Sequence, residues 1–468
     1  MVFNSISFLG FFLLVFAAYW SLKAHWRIQN TLLLIASYLF YGFWDWRFPV
    51  LMAATTGIDY LMTNLMRWSP QRRKAYLAVS LVSNLGVLFA LKYFNFFQDN
   101  LVSALGQFGV EVSPWFTGVF LPVGISFYTF QRLTFVIDVY REDAYQEVGF
   151  FDFALFVSFF PLLLSGPIER AKQLIPQLLR ARDWQSSHVE QGIWLISWGL
   201  FKKMFVADNL ATLVDPVFQE GWHGSGGEAL VAIYAYAFQI YCDFSGYSDV
   251  AIGLAKLLGF DVRWNFNLPY FATNPSDFWR RWHISLSTWL RDYVFIPMGG
   301  SRHGEWSTRR NLMATMVLVG LWHGAAWTFV VWGAYHGLLL IVHRAVSPER
   351  SAEEHPLITV AVARAAVTFH LICVGWLLFR ASSLQQAADI FVTIVSTLVP
   401  NGISLTLLGQ LAGYISLLLL VQFVQRVKGS LLVLEGTSVP LKGIAYGILF
   451  YLTVLHGGTS NSFIYFQF

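Results

Sequence analysis

Charge is scarce in this chain. Only 12% of its 468 residues are Asp, Glu, Lys or Arg, against roughly 25% in a soluble globular domain. No polar region is long enough to form a separate soluble domain, so residues 1–468 are read as one unit. Cysteine is nearly absent. Cys242 and Cys373 both lie in apolar surroundings, which reads as two free thiols packed in helices and says little about redox compartment. No basic run carries a nucleic-acid motif, so nucleic acid is set aside as a partner. The spacing of His and Asp matches no metal motif, and no Gly-x-Ser-x-Gly elbow, phosphate-binding loop or dinucleotide fingerprint occurs. The first apolar segment lacks a cationic leader and a cleavage site, so it reads as a retained span.

What the chain does have is apolar length. It is 56% hydrophobic and 18% aromatic, with a mean hydropathy of +0.53. A membrane-crossing helix needs about 20 predominantly apolar residues. Such stretches fall near 7–22, 31–46, 50–66, 76–97, 116–139, 189–213, 229–258, 311–327, 328–346, 359–379, 410–427 and 440–456. The expectation is an all-α polytopic membrane protein with eleven to thirteen spans.

Charge placement orients it. Lys23 and Arg27 follow the first span, and Arg67, Arg72, Arg73 and Lys74 follow the third. Cytoplasmic loops carry the excess of Lys and Arg, so both loops face the cytoplasm and the N-terminus faces out. The longest cytoplasmic segment is then about 260–310, with seven arginines. The segment 150–167 has cationic flanks and contains Pro161 and Ser165-Gly166-Pro167. That pattern reads as a re-entrant element entering from the cytoplasm, or as two short spans.

Asp277 to Tyr293 is the most structured polar stretch. Asn274-Pro275-Ser276-Asp277 supplies helix-capping chemistry. Trp282, Leu286, Trp289 and Tyr293 fall on one face of a continuous helix, with His283, Ser287 and Leu290 beside them. Such a helix either lies at the lipid interface with its arginines on phosphate or builds an anionic-ligand site from their forked guanidinium groups.

Leu312 to Val342 carries no acidic or basic side chain but holds His323 and His336. An ionisable residue at membrane depth costs free energy, so it marks a candidate site, and histidine suits proton transfer near neutral pH. Gly320 and Gly324 flank His323 and either admit another group or pack a helix. His336 lies 13 residues on, off the face of His323 unless the chain bends between them. For His336 and His343 the expectation is neutral packing. Asp243 and Asp249 sit in an apolar span around Gly246, which is expected to unwind it. They are expected to pair with Arg or His, or to line a wet cavity, rather than to act as a catalytic dyad.

Together these stretches resemble the membrane-bound O-acyltransferase family. The resemblance rests on Arg-Arg-Trp-His283-Ile-Ser-Leu-Ser-Thr-Trp-Leu-Arg-Asp-Tyr followed by Leu-Trp-His323-Gly-Ala. It is supported by residues 121–130, residues 241–249 and the terminal Phe463-Ile-Tyr-Phe-Gln-Phe468. It covers essentially the whole chain and is closest to the bacterial branch that acetylates exopolysaccharides such as alginate and cellulose. The resemblance implies a helical body around a tunnel, with re-entrant and interfacial helices. His323 matches the essential histidine, and His283 stands where many relatives carry Asn or Asp. Acetyl-CoA is the implied donor, with no permanently bound cofactor. The implied partners are membrane lipid, a periplasmic acetyl-transfer protein, the polysaccharide synthesis complex and the polymer as final acceptor, in a bacterial inner membrane.

The residue chemistry fits that implication. His323 can serve as base or nucleophile. Arg280, Arg281 and Arg291 are expected at the CoA phosphates, oriented by Asp277 or Asp292. A transporter for polysaccharide or lipid-linked sugar is the alternative, and a non-catalytic scaffold of a secretion complex is a third reading.

Overall fold

The computed structural model describes residues 1–110, 113, 121–142, 145, 147–346, 357–459 and 463–464. The start of the candidate span at 116–139 and the last four residues of the terminal motif lie outside them. Among the described residues every regular element is a helix. It divides into two compact units, Met1–Ile193 with Ala251–Arg263, and Trp194–Val250 with Trp264–Phe468.

The first unit begins with α1 (Ile6–Ser21), α2 (Trp26–Gly42), α3 (Arg47–Trp68), α4 (Arg73–Leu88) and α5 (Phe94–Gln107). It continues with α6 (Ile125–Glu142), α7 (Phe150–Ser158), α8 (Phe160–Leu163) and α9 (Ala171–Leu178). Its interior holds several buried polar groups, two of which tie helices together. Arg182 is buried and donates to Tyr19 Oη at 2.9 Å and Asn30 Oδ1 at 2.8 Å. Asp59 on α3 accepts from Ser80 and Asn84 on α4 and lies 3.6 Å from Arg132 on α6.

The segment 150–167 is a broken helix. Phe159 leaves the helical region at φ −46°, ψ 102°, and the freed Phe160 N–H donates to Ser37 Oγ of α2 at 3.0 Å. The pieces α7 and α8 hold 9 and 4 residues, far short of the roughly 20 that a crossing needs. The break leaves irregular backbone in the interior, with its lost hydrogen bond replaced from a neighbouring helix.

The second unit holds most of α10 (Ser186–Leu200), a π-helical turn Phe201–Ala207, α11 (Asp208–Val214) and most of α12 (Gly226–Leu257). After α12 come two short helices, α13 (Pro275–Arg281) and α14 (Ile284–Leu290). The rest is α15 (Gly304–His323), α16 (Trp327–Val346), α17 (Ile358–Arg380), α18 (Leu384–Asn401), α19 (Leu405–Lys428) and α20 (Val439–Leu455). Gly246 does not unwind its segment, for α12 runs unbroken through it. Its missing side chain lets the α10 backbone at Gly199 come close instead.

The outer surface is that of a multi-pass membrane protein. Among the described residues, four helical stretches are long and apolar enough to cross a bilayer: Pro70–Gln107, Trp327–Val346, Ile358–Arg380 and Leu405–Lys428. Ile6–Ser21, Leu384–Leu398 and Val439–Leu455 are shorter apolar helices. Their outward side chains are bare: Leu14, Val82 and Val362 are 76%, 71% and 63% exposed. Apolar surface on that scale is stable only against lipid.

Candidate functional site

The Asp277–Tyr293 stretch is not one helix, and the break falls on His283. Asn274 caps α13 by accepting from the Asp277 N–H at 2.8 Å, as its cap chemistry predicts. Trp282 is then extended and His283 adopts φ 43°, ψ 54°, a left-handed conformation uncommon for a side-chain-bearing residue. The connecting strand of chain after α12 competes for the backbone here. Asn267 N–H donates to Arg281 O at 2.9 Å, and Ile284 N–H donates to Asn265 O at 2.9 Å. The one-face pattern of Trp282, Leu286 and Trp289 therefore reports burial, since all three are buried, but not helical continuity.

The break puts His283 in the interior, fully buried. Asn265 Oδ1 accepts from Ser285 Oγ at 2.9 Å and faces His283 Nδ1 at 3.1 Å, while Asn265 Nδ2 donates to Ser248 Oγ at 3.2 Å. An amide oxygen can only accept, so Nδ1 carries the ring proton and Nε2 is the basic nitrogen. Burial pushes the His283 imidazole down to about 3.

His323 is the last residue of α15, and Gly324 leaves the helix at once. A three-residue turn leads into α16, so α15 and α16 form a helical hairpin. A methyl group added at Gly320 would overlap the Phe329 carbonyl oxygen, and one at Gly333 that of Met316. The hairpin thus closes backbone against backbone. The small residues around His323 serve this packing, and the space beside Gly324 is filled by the Phe329 ring.

The hairpin also answers the spacing of the two histidines. Trp332 packs against both, 5.1 Å from the His323 ring and 4.8 Å from the His336 ring. His283 joins from the other side through Trp322, whose ring is 5.7 Å from His283 and 4.9 Å from His323. Trp279, Phe379 and Trp376 complete an aromatic box around them.

A cavity of about 320 Å³ leads toward this box. Leu312, Met316 and Val319 line one wall, and the same stripe of α15 continues to His323. Ile284, Ser287 and Leu290 of α14 line the other. Arg280 and Arg291 also line it, with side chains 70% and 61% exposed. Arg281 does not. It pairs with Asp277 at 2.9 Å and donates to Asn267 O at 3.3 Å, holding α13 to the loop before it. Asp277 lies 3.8 Å from Arg280, and Asp292 pairs with Arg291 at 2.8 Å.

Asp243 and Asp249 find lysines rather than Arg or His. The π-helical turn after α10 aims Lys203 at Asp243 and Asp208, at 2.6 and 2.8 Å, and Lys202 at Asp249 and Ser245, at 2.8 and 2.9 Å. Asp243 also accepts from the Ile464 N–H at 2.7 Å, and Phe463 packs 4.6 Å from the Tyr247 ring. Sequence reading missed these lysines, although two cations inside the apolar run at 194–207 were a visible signal. Asn265, Trp279 and Trp332 were missed for want of any local signal.

Comparison with known proteins identifies the family. A model of the membrane-bound O-acyltransferase family matches residues 130–384. The chain is 42% identical to a probable alginate O-acetylase of Pseudomonas aeruginosa, over 83% of this chain and 73% of that protein. It is 42% identical to one of Azotobacter vinelandii, over 85% and 78%. It is 33% identical to a peptidoglycan O-acetyltransferase of Helicobacter pylori, over 86% and 81%.

Proposed function

This chain belongs to the membrane-bound O-acyltransferase family, and from that premise we propose that it moves acetyl groups from cytoplasmic acetyl-CoA toward an exopolysaccharide outside the inner membrane. The observation that carries the reading is the α15 stripe. It runs from a cavity bearing two exposed arginines to a buried histidine at the helix end. Arg280 and Arg291 suit the phosphates of CoA, and the apolar cavity suits its thioester arm.

In the proposed reaction the acceptor hydroxyl oxygen bonds to the thioester carbonyl carbon. His323 takes the hydroxyl proton while the carbonyl electron pair moves onto oxygen. That pair then returns, the carbon–sulfur bond breaks, and the leaving thiolate takes the proton from His323. One ester and one thiol result, and the histidine is restored. His283, with Nδ1 committed to Asn265, carries its ring lone pair on Nε2 and packs against Trp322.

The polymer proposed is an alginate-like exopolysaccharide. The alginate O-acetylases are more similar to this chain than the peptidoglycan enzyme, at 42% against 33% identity. None of these relatives is named for cellulose, the other polymer expected. A periplasmic partner that completes the transfer, and an N-terminus on that side, belong to the same proposal. Transport has no comparable observation in its favour.

His323→Ala tests the reading. In cells, the polymer is expected at normal yield but without acetyl esters. Polymer acetylated as before would sink the assignment of His323, and polymer lost altogether would return the transporter.

A further inference from the structure

The aromatic box contains hydrogen-bonding groups that the fold does not use. The Nε1 of Trp279, the Nε1 of Trp332 and both ring nitrogens of His336 are buried and have no hydrogen-bond partner among the described residues. The three rings touch one another. Trp279 and Trp332 are 5.8 Å apart, Trp279 and His336 5.2 Å, Trp332 and His336 4.8 Å. Native proteins pair nearly all buried polar groups, and an orphaned donor costs its full desolvation. The same unit shows what a structural indole looks like. Trp376 donates to Tyr270 Oη at 3.2 Å and Trp194 to Leu431 O at 3.3 Å.

The position of these groups is as telling as their state. Trp279 lines the cavity beside Arg280. Trp332 meets the His323 ring nearly at right angles, 5.1 Å away. Trp279 thus borders the cavity and Trp332 the histidine, with His336 against both tryptophans. A neutral imidazole always carries one N–H, so the box offers three.

We propose that Trp279, Trp332 and His336 form the donor set that holds the thioester carbonyl oxygen and stabilises its negative charge during transfer, a role that rests on the acyl-transfer reading above. When the acceptor oxygen adds to the carbonyl carbon, the displaced electron pair sits on the carbonyl oxygen until the carbon–sulfur bond breaks. Preformed donors in a water-poor site stabilise that charge, and their groups stay unpaired until it develops. His336 then has a use beyond the packing expected of it, and the fold's tolerance of three buried unpaired groups has a cause.

Trp→Phe substitution tests this cleanly, because it removes the N–H and keeps a ring. Membranes carrying the full chain and its polymer machinery are given radiolabelled acetyl-CoA, and label in the polymer is measured per mole of folded protein. Trp332→Phe is expected to lower turnover by about 100-fold, the usual loss of one oxyanion donor, with KM for acetyl-CoA within about twofold and no loss of thermal stability. Trp279→Phe is expected to act in the same direction. Trp194→Phe, which removes a paired indole N–H, is expected to lower stability and keep turnover. Unchanged turnover in Trp332→Phe and Trp279→Phe overturns the proposal, since the indoles then only pack. Turnover that falls only through a raised KM also overturns it. His323→Ala run in parallel separates the two readings: if label still reaches the polymer there, the acyl-transfer assignment itself is wrong.

Discussion

Asn265 Oδ1 stands 3.1 Å from His283 Nδ1 and draws three donors at once, the imidazole, the Ser285 hydroxyl and the Ser285 N–H. The amide is 18 residues away in sequence, and it fixes which nitrogen of His283 is basic. Asn265→Leu is expected to cut polymer acetylation by about 10²-fold, the low end of what a misplaced acid–base group loses. Asn265→Asp, which still accepts from Nδ1, is expected to retain more activity. Equal activity in both variants and wild type would remove His283 from the reaction.

Burial also makes His283 a source of pH-dependent stability. Its folded value is about 3, against 6.5 for the unfolded side chain. Between those values the unfolded chain binds a proton that the folded chain refuses. The contribution is therefore fully present above about pH 6.5 and declines as the pH falls toward 3, by up to about 1.4 kcal/mol per pH unit. Thermal melts of purified protein at pH 7, 6 and 5 are expected to fall more steeply for wild type than for His283→Gln. Parallel curves would show that the histidine is not held neutral.

Lys203 bridges Asp243 and Asp208 in the interior. Lys203→Met is expected to destabilise the fold by about 3–5 kcal/mol, because it leaves buried carboxylates without a counter-charge. Adding Asp243→Asn is expected to restore part of the loss. Melting temperature and the monodisperse fraction in detergent read both. A single variant as stable as wild type would mean that the charges are not buried in solution.

The arginines divide by position. Arg280→Ala and Arg291→Ala are each expected to raise KM for acetyl-CoA about 10-fold, the loss of one charge-assisted hydrogen bond. Arg281→Ala is expected to act mainly on stability, since its side chain is spent on Asp277 and Asn267. Titration of purified protein with acetyl-CoA distinguishes them, and an Arg281 effect on donor affinity equal to that of Arg280 would contradict the geometry.

The sequence carried much of this architecture, for identifiable reasons. Apolar length revealed α16, α17 and α19, and cationic flanks with Pro161 exposed the broken helix at 150–167. His323 stood out because an ionisable residue in an apolar run has few bland explanations. What periodicity could not show was the break at Trp282–His283. Nothing local ends that helix. It ends because Asn265 and Asn267, from a loop farther back, take its backbone groups. Gly320 and Gly246 were visible, yet their use as points of backbone approach depends on which helix lies opposite. Trp279 and Trp332 were two among 19 tryptophans, and their place against His336 and His323 is set by helices that meet only in the folded chain.

The backbone-to-backbone closure of α15 on α16 has a consequence for specificity. The wall that ends in His323 has no slack, because its neighbours at Gly320 and Gly333 cannot accept even a methyl group. The opposite wall is built from side chains of α14: Ile284, Ser287 and Leu290. Room for a longer or shorter acyl group has to be made or taken on that side. On the acyl-transfer reading proposed above, resizing α14 residues is expected to change the acyl chain that fits, while the histidine and its hairpin stay where they are.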